Sequence, residues 1–238
     1  MKYSRMIILT ALLEEMEAIL PRVRNLSQSV YLSSPLWKGI LCGYKVILRI
    51  TGIGKVNAAL TTQYLIKDYP VSHIYNVGVA GSISPEVKIG DVVIADQVAQ
   101  CDFDLTVFGY LKGQIPGIVN RFFPTAISRD VVNSIQRVNN GFQIRYGSIV
   151  SADQFVQDIE AMVKLGEEFN ALAKDMESAA IGHVCYVNKI PFISIRGICD
   201  HSGKFAIQEY RKNLKLAISN STDVLLKLIK NHKNYYND

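Results

Sequence analysis

The chain has 238 residues, 49% of them hydrophobic and 20% charged, with a net charge of +5. That balance suits a single globular domain, 1–238, with a sizeable core, and excludes a disordered or fibrous chain. No apolar run reaches the roughly 18 residues that a bilayer crossing needs, so no membrane association is expected.

In chain order, MIILTA (6–11) is an apolar strand that turns into the helix LLEEMEAIL, stopped near Pro21. WKGILCGYKVILRI (37–50) reads as a hairpin with its turn at Cys-Gly, and GKVNAALTTQYLIKDY (54–69) has helical spacing. HIYNVGVA (73–80) and KIGDVVIADQVAQ (88–100) are strands, RDVVNSIQRVNN (129–140) is a helix closed by Gly141, and QIRYGSIVSA (143–152) is another strand. A loop and helix follow in DQFVQDIEAMVKLGEE, then a small-residue helix after AKDMES, then the strand PFISIRGICD (191–200). Phe205 to Lys230 is a long amphipathic helix. This alternation predicts an α/β fold, a three-layer α/β/α sandwich around a central mixed, largely parallel β-sheet.

Four cysteines and four histidines are scattered without ligand spacing, so neither a metal site nor a cofactor is expected, and the cysteines read as free thiols of a reducing compartment. Lysines gather near the C-terminus (Lys212, Lys215, Lys227, Lys230, Lys233) without an aromatic-laced stripe, which predicts a solvated basic face and no nucleic-acid partner. TGIGKVNAA (51–59) departs from both the phosphate loop and the dinucleotide fingerprint, since Val56 follows Lys55 and Asn57 stands where a third glycine is required. GVAGS (78–82) is either a tight turn or a backbone kept bare for close approach of a ligand.

Asp175 and Glu177 bracket Met176 at a helix start, where helix capping is the plain explanation. Yet Glu14 and Glu15 follow the first strand, and Asp200 ends an apolar one. In open α/β sheets ligands bind at the carboxyl ends of the strands. Acids gathered at one such edge suit acid/base work at a glycosidic bond, with a further carboxylate free to hold ribose hydroxyls.

An ordered series of motifs carries a resemblance over nearly the whole chain: ALLEEMEAI (11–19), TGIGKVNAA (51–59), NVGVAGSI (76–83), KIGDVVIAD (88–96), CDFDLTVFGYLKGQIPG (101–117), SADQFV (151–156), KDMESAAIGHVC (174–185) and FISIRGICD (192–200). In these the chain resembles the 5′-methylthioadenosine/S-adenosylhomocysteine nucleosidases of the purine nucleoside phosphorylase superfamily. The resemblance implies that Glu15 activates water, that Asp200 protonates adenine N7, and that Glu177 binds ribose with Met176 packed on the sugar. It implies further that Phe155 stacks on adenine, that the Val156 backbone reads the base edge, and that Arg196 stands near the nucleophilic water, with Ile53 and Val79 in the substrate-binding set. Leu105, Phe108, Tyr110 and Pro116 match positions that a partner subunit lends to the 5′-substituent pocket, which implies a homodimer. A cytoplasmic enzyme of methionine salvage, acting on a small-molecule nucleoside and needing no cofactor, is the implied whole.

Two departures from the family pattern stand out: Val79 where many relatives carry Ser or Thr, and Cys199 where they commonly carry Ser. A thiol is the weaker donor, so a looser Asp200 is expected. Capping is expected to remain the only role of Asp175, while Glu177 caps the helix and also turns toward ribose. Three other functions compete with the nucleosidase: a phosphate-dependent purine nucleoside phosphorylase, an aminofutalosine hydrolase, and a polyanion-binding surface protein.

Overall fold

The computed structural model describes residues 5–118, 120–137 and 141–232. Met6–Leu9 are apolar at every position, the pattern of a strand covered on both faces. In β1 (Arg5–Thr10), Ile7 and Leu9 enter one core while Met6 and Ile8 enter another on the opposite face. β1 lies between β4 (Tyr44–Ile50) and β5 (Val71–Ser82) and runs parallel to both. β2 (Arg24–Tyr31), β3 (Ser34–Leu41) and β4 form an antiparallel meander at one edge. Its expected Cys-Gly turn has both residues at positive φ, 51° at Cys42 and 92° at Gly43, the geometry that suits a twisted two-residue hairpin.

On the other side, β10 (Phe192–Asp200) runs parallel to β5 and antiparallel to β6 (Val92–Gln100). β6 pairs in parallel with β8 (Ile144–Ser151), and β8 with β9 (Ala171–Asp175). The two-residue β7 (Phe123–Pro124) attaches to β6. β9 returns antiparallel to the end of β5 through Gly81 and Ser82. Five strands, β5, β10, β6, β8 and β9, therefore pair in a ring, and the mixed sheet closes on itself at one end.

Helices cover both faces. α1 (Leu13–Ile19), α3 (Arg129–Arg137) and α6 (Ala206–Lys230) supply Met16, Ile19, Val132, Ile135, Val224 and Leu228 to one core. α2 (Lys55–Asp68) and α5 (Ser178–Asn188) supply Ala58, Leu65, Ala179, Ile181 and Cys185 to the other. α4 (Ile159–Phe169) packs separately on the ends of β8 and β9. Its N-cap is Asp158, whose side chain accepts from the Ala161 N–H. The expected close of α3 at residues 138–140 lies outside the described residues, and Gly141 has no positive φ. Among the described residues no helix is long and apolar enough to cross a membrane.

Three strands go beyond the sequence reading, the two-residue β7 among them. β2 is exposed along almost its whole length, so it carries no alternation to betray it. β9, ALAKD, is only five residues long and too short to show a period ahead of the small-residue helix. Its position matters, because it brings Asp175 beside the ends of β5, β8 and β10.

Candidate active site

The polar centre forms around Arg196 of β10, which is 1% exposed. Its Nε lies 2.7 Å from Asp175 Oδ2 and donates to Ser178 Oγ at 3.1 Å, while Nη2 stands 3.5 Å from Glu177 Oε2. Asp175 also accepts from the N–H groups of Glu177 and Ser178 (both 3.2 Å) and from the hydroxyls of Ser151 and Ser178. It does cap α5, but it is also the direct ion-pair partner of the buried arginine, so the expectation of a cap alone is corrected. The expectation that Glu177 caps is corrected too: its side chain makes no cap bond. With Asp175 satisfying the helix start, Glu177 is free to face the cavity.

Glu177 Oε1 accepts from the N–H of Gly54 at 3.0 Å, and Asp153 accepts from the N–H of Lys55 at 2.8 Å. The glycine loop thus spends these backbone donors on the protein's own carboxylates rather than on a phosphate. Burial pushes Glu177 up to about 7, against the pull of Arg196.

Glu15 stands in α1, 3% exposed, with its carboxylate turned back over the helix start. Oε2 accepts from the N–H groups of Ala11 (2.9 Å) and Leu12 (3.0 Å), and Oε1 from that of Val79 (3.0 Å). Burial raises its pKa, while Arg196 and the three N–H groups oppose the rise and favour the charged form. Gly78 makes this packing possible, since a Cβ there would run into both Arg196 Nη1 and Glu15 Oε1.

Asp200, at the end of β10, is 2% exposed. Oδ1 accepts from the Ser202 N–H at 2.8 Å, and the Cys199 thiol stands 3.3 Å from Oδ2. Burial raises the Asp200 pKa, helped by the charge of Glu209, while that N–H, the thiol and His201 oppose the rise. The thiol also reaches the Ala80 carbonyl at 3.4 Å, so the weak donor is shared and the backbone amide does most to orient the carboxyl. A Cβ on Gly81 would lie 2.7 Å from Asp200 Oδ1. Gly78 and Gly81 both sit within β5, neither at positive φ. The tight turn is therefore excluded, and the bare backbone makes room for buried polar side chains of the protein itself.

These groups line one cavity of about 510 Å³. Of the residues expected at the site, Glu15, Ile53, Val79, Phe155, Val156, Met176, Glu177 and Asp200 line it. Arg196 lies behind the carboxylates. Phe155 is 51% exposed, with its ring edge-on to Tyr210 at 6.4 Å. Leu105, Phe108, Tyr110 and Pro116 are not among the lining residues of this cavity, and Phe108 is 74% exposed. The lining also includes residues that the sequence reading passed over: Leu12, Lys174, Ile207, Tyr210 and Arg211. Burial, with nearby acids, pushes the Tyr210 hydroxyl up to about 12. The three-to-four-residue spacing of Ile207, Tyr210 and Arg211 is the signal that one face of α6 serves the site. Lys174 had no signal, because a lysine before a cap reads as surface.

Buried carboxylates at strand ends of a closed mixed α/β sheet, around one arginine, make a site of an enzyme class equipped for acid/base work, such as cleavage of a glycosidic bond. The family model of the phosphorylase superfamily matches residues 5–230. A 5′-methylthioadenosine/S-adenosylhomocysteine nucleosidase of Tolumonas auensis is 32% identical, over 94% of this chain and 97% of its own. The solved structure of the Neisseria meningitidis enzyme of that name, in complex with methylthio-immucillin-A, superposes with a TM-score of 0.90 at 30% identity, over 95% of this chain and 99% of the other. Helicobacter pylori futalosine hydrolase gives 0.87 at 29% identity, over 96% and 98%. The chain belongs to the phosphorylase superfamily and, within it, to the 5′-methylthioadenosine/S-adenosylhomocysteine nucleosidase family.

Proposed function

We propose that this protein hydrolyses the N-glycosidic bond of 5′-methylthioadenosine and S-adenosylhomocysteine, and also of 5′-deoxyadenosine, releasing adenine and a 5-substituted ribose. The observation that carries this is the meeting of Glu15, Glu177 and Asp200 in one cavity. Adenine is a poor leaving group as an anion, so a proton must reach N7 as the bond breaks. Asp200, raised by burial with few opposing donors, holds that proton. Glu15, whose carboxylate form three N–H groups and Arg196 favour against the rise that burial causes, directs water at the sugar carbon. Glu177 accepts from ribose hydroxyls.

Charge counting supports the same assignment. Arg196 is one cation facing three acids, Asp175, Glu177 and Glu15. When these are ionised the cluster is net negative, which favours positive charge developing on the ribose in an oxocarbenium-like transition state. Phosphate, by contrast, is repelled from a sugar site walled by Glu15 and Glu177. Adenine release from 5′-methylthioadenosine is therefore expected to proceed at full rate in phosphate-free buffer, followed by product chromatography. A strict phosphate requirement overturns the hydrolase in favour of a phosphorylase, and base release from aminofutalosine alone favours the hydrolase of that nucleoside.

The protein works as a homodimer. Val107, Phe108, Tyr110 and Leu111 form an exposed apolar segment, and Val56, Leu60 and Tyr64 expose one stripe of α2 at helical spacing. The ion pair of Lys55 with Asp102 (2.6 Å) ties the start of α2 to the beginning of the loop that carries that segment. Phe108→Asp is expected to yield monomers by light scattering and to raise KM for 5′-methylthioadenosine, although Phe108 does not line the cavity of its own chain. A dimer with unchanged kinetics overturns this assignment. The protein is placed in the cytoplasm, where the free thiols Cys42, Cys101, Cys185 and Cys199 stay reduced.

A further inference from the structure

Lys174 has no part in the proposed chemistry, yet it is 8% exposed and lines the cavity alongside Asp200. A buried ammonium is costly unless its three donors are used. Here its Nζ donates to the carbonyl of Gln154, next to Phe155 and Val156, and it has no direct carboxylate pair among the described residues. Asp175, Asp102 and Asp200 lie within electrostatic reach, while burial pushes its pKa below the usual lysine range. β9 holds the residue in place, with Lys174 opposite Gly81 and Val150 in register. The same side chain borders a neighbouring cavity of about 430 Å³, across a wall shared through Gln154, Val156 and Met162.

We infer that Lys174 is a base-binding residue, donating a charge-assisted hydrogen bond from its ammonium to a ring nitrogen of the purine. The inference rests on the nucleosidase reading, which puts the base against Asp200. Once N7 takes the proton from Asp200 and N9 carries the sugar, N1 and N3 are the ring acceptors that remain in adenine. An ammonium at either one binds the base and draws off electron density as the glycosidic bond opens. Sitting on the Gln154 carbonyl, the same group also holds the 154–156 segment against the base.

The test is a binding cycle by calorimetry with adenine, 1-deazaadenine and 3-deazaadenine, each titrated into the unmutated protein, Lys174→Met and Lys174→Arg. The unmutated protein is expected to bind one deaza analogue roughly tenfold to a hundredfold more weakly than adenine, the range for a bond to a charged donor. In Lys174→Met adenine weakens by a similar factor and the discrimination against that analogue disappears, whereas Lys174→Arg keeps part of it. A uniform loss for all three bases in Lys174→Met leaves Lys174 a prop for residues 154–156 and overturns the inference. Equal binding of all three by the unmutated protein overturns it without any variant. Failure of that protein to bind adenine at all instead overturns the nucleosidase reading.

Discussion

Asp200→Asn is expected to lower kcat for adenine release by about 10²–10⁴-fold, the usual worth of a positioned general acid. Asparagine keeps the shape of the side chain and its acceptor toward the Ser202 N–H. It has no proton to give. Binding should therefore survive, and the loss should fall on kcat rather than KM, read by chromatography of adenine. The pH profile makes the assignment sharper. Asp200 acts while protonated, and burial raises its pKa, so activity falls as pH rises through a value above the ordinary carboxylate range. Glu15 acts while ionised, so activity also falls as pH drops through its own pKa. Asp200→Asn should abolish the alkaline limb and keep the acid one. Full activity in this variant removes Asp200 from the acid role.

Arg196→Met should destabilise the fold by about 3–5 kcal/mol at neutral pH, the cost of removing one partner from a buried ion cluster. For a chain of this size that corresponds to a fall in Tm of roughly 6–20 °C. Asp175, Glu177 and Glu15 would be left buried around a hole that holds no cation. The pH dependence has a definite sign. With Glu177 raised from 4.5 to about 7, the folded chain holds a proton that the unfolded chain releases in that interval. Such a group adds stability below its unfolded pKa, and that stability is lost as pH rises toward the folded value. Removing Arg196 raises Glu177 and Glu15 further, so the variant should be least impaired at pH about 4–5 and worst above neutrality. A variant as stable as the parent at pH 7–8, by thermal and urea unfolding, would show that the guanidinium does not hold the cluster together.

The lesson of the two glycines in GVAGS extends to the rest of the site. From sequence they pointed to a turn or to a ligand, and the structure puts them inside a strand, bare because Glu15, Arg196 and Asp200 crowd against them. Likewise Asp175 read as a cap, and it is one. What the local pattern could not convey is that Arg196, twenty-one residues on, comes to lie 2.7 Å away.

Apolar runs such as MIILTA and FISIRGICD, the helix starts and the hairpin turn at Cys42-Gly43 were legible locally, because strand and helix periodicity and turn chemistry act over a few residues. The ordered motifs likewise pointed to Glu15, Glu177 and Asp200. The ring closure through β9, the division of labour between Asp175 and Glu177, and the burial of Lys174 beside Asp200 depend on contacts between distant segments. Pairing register and desolvation arise only when those segments meet, and desolvation is what raises the pKa of Glu15, Glu177 and Asp200.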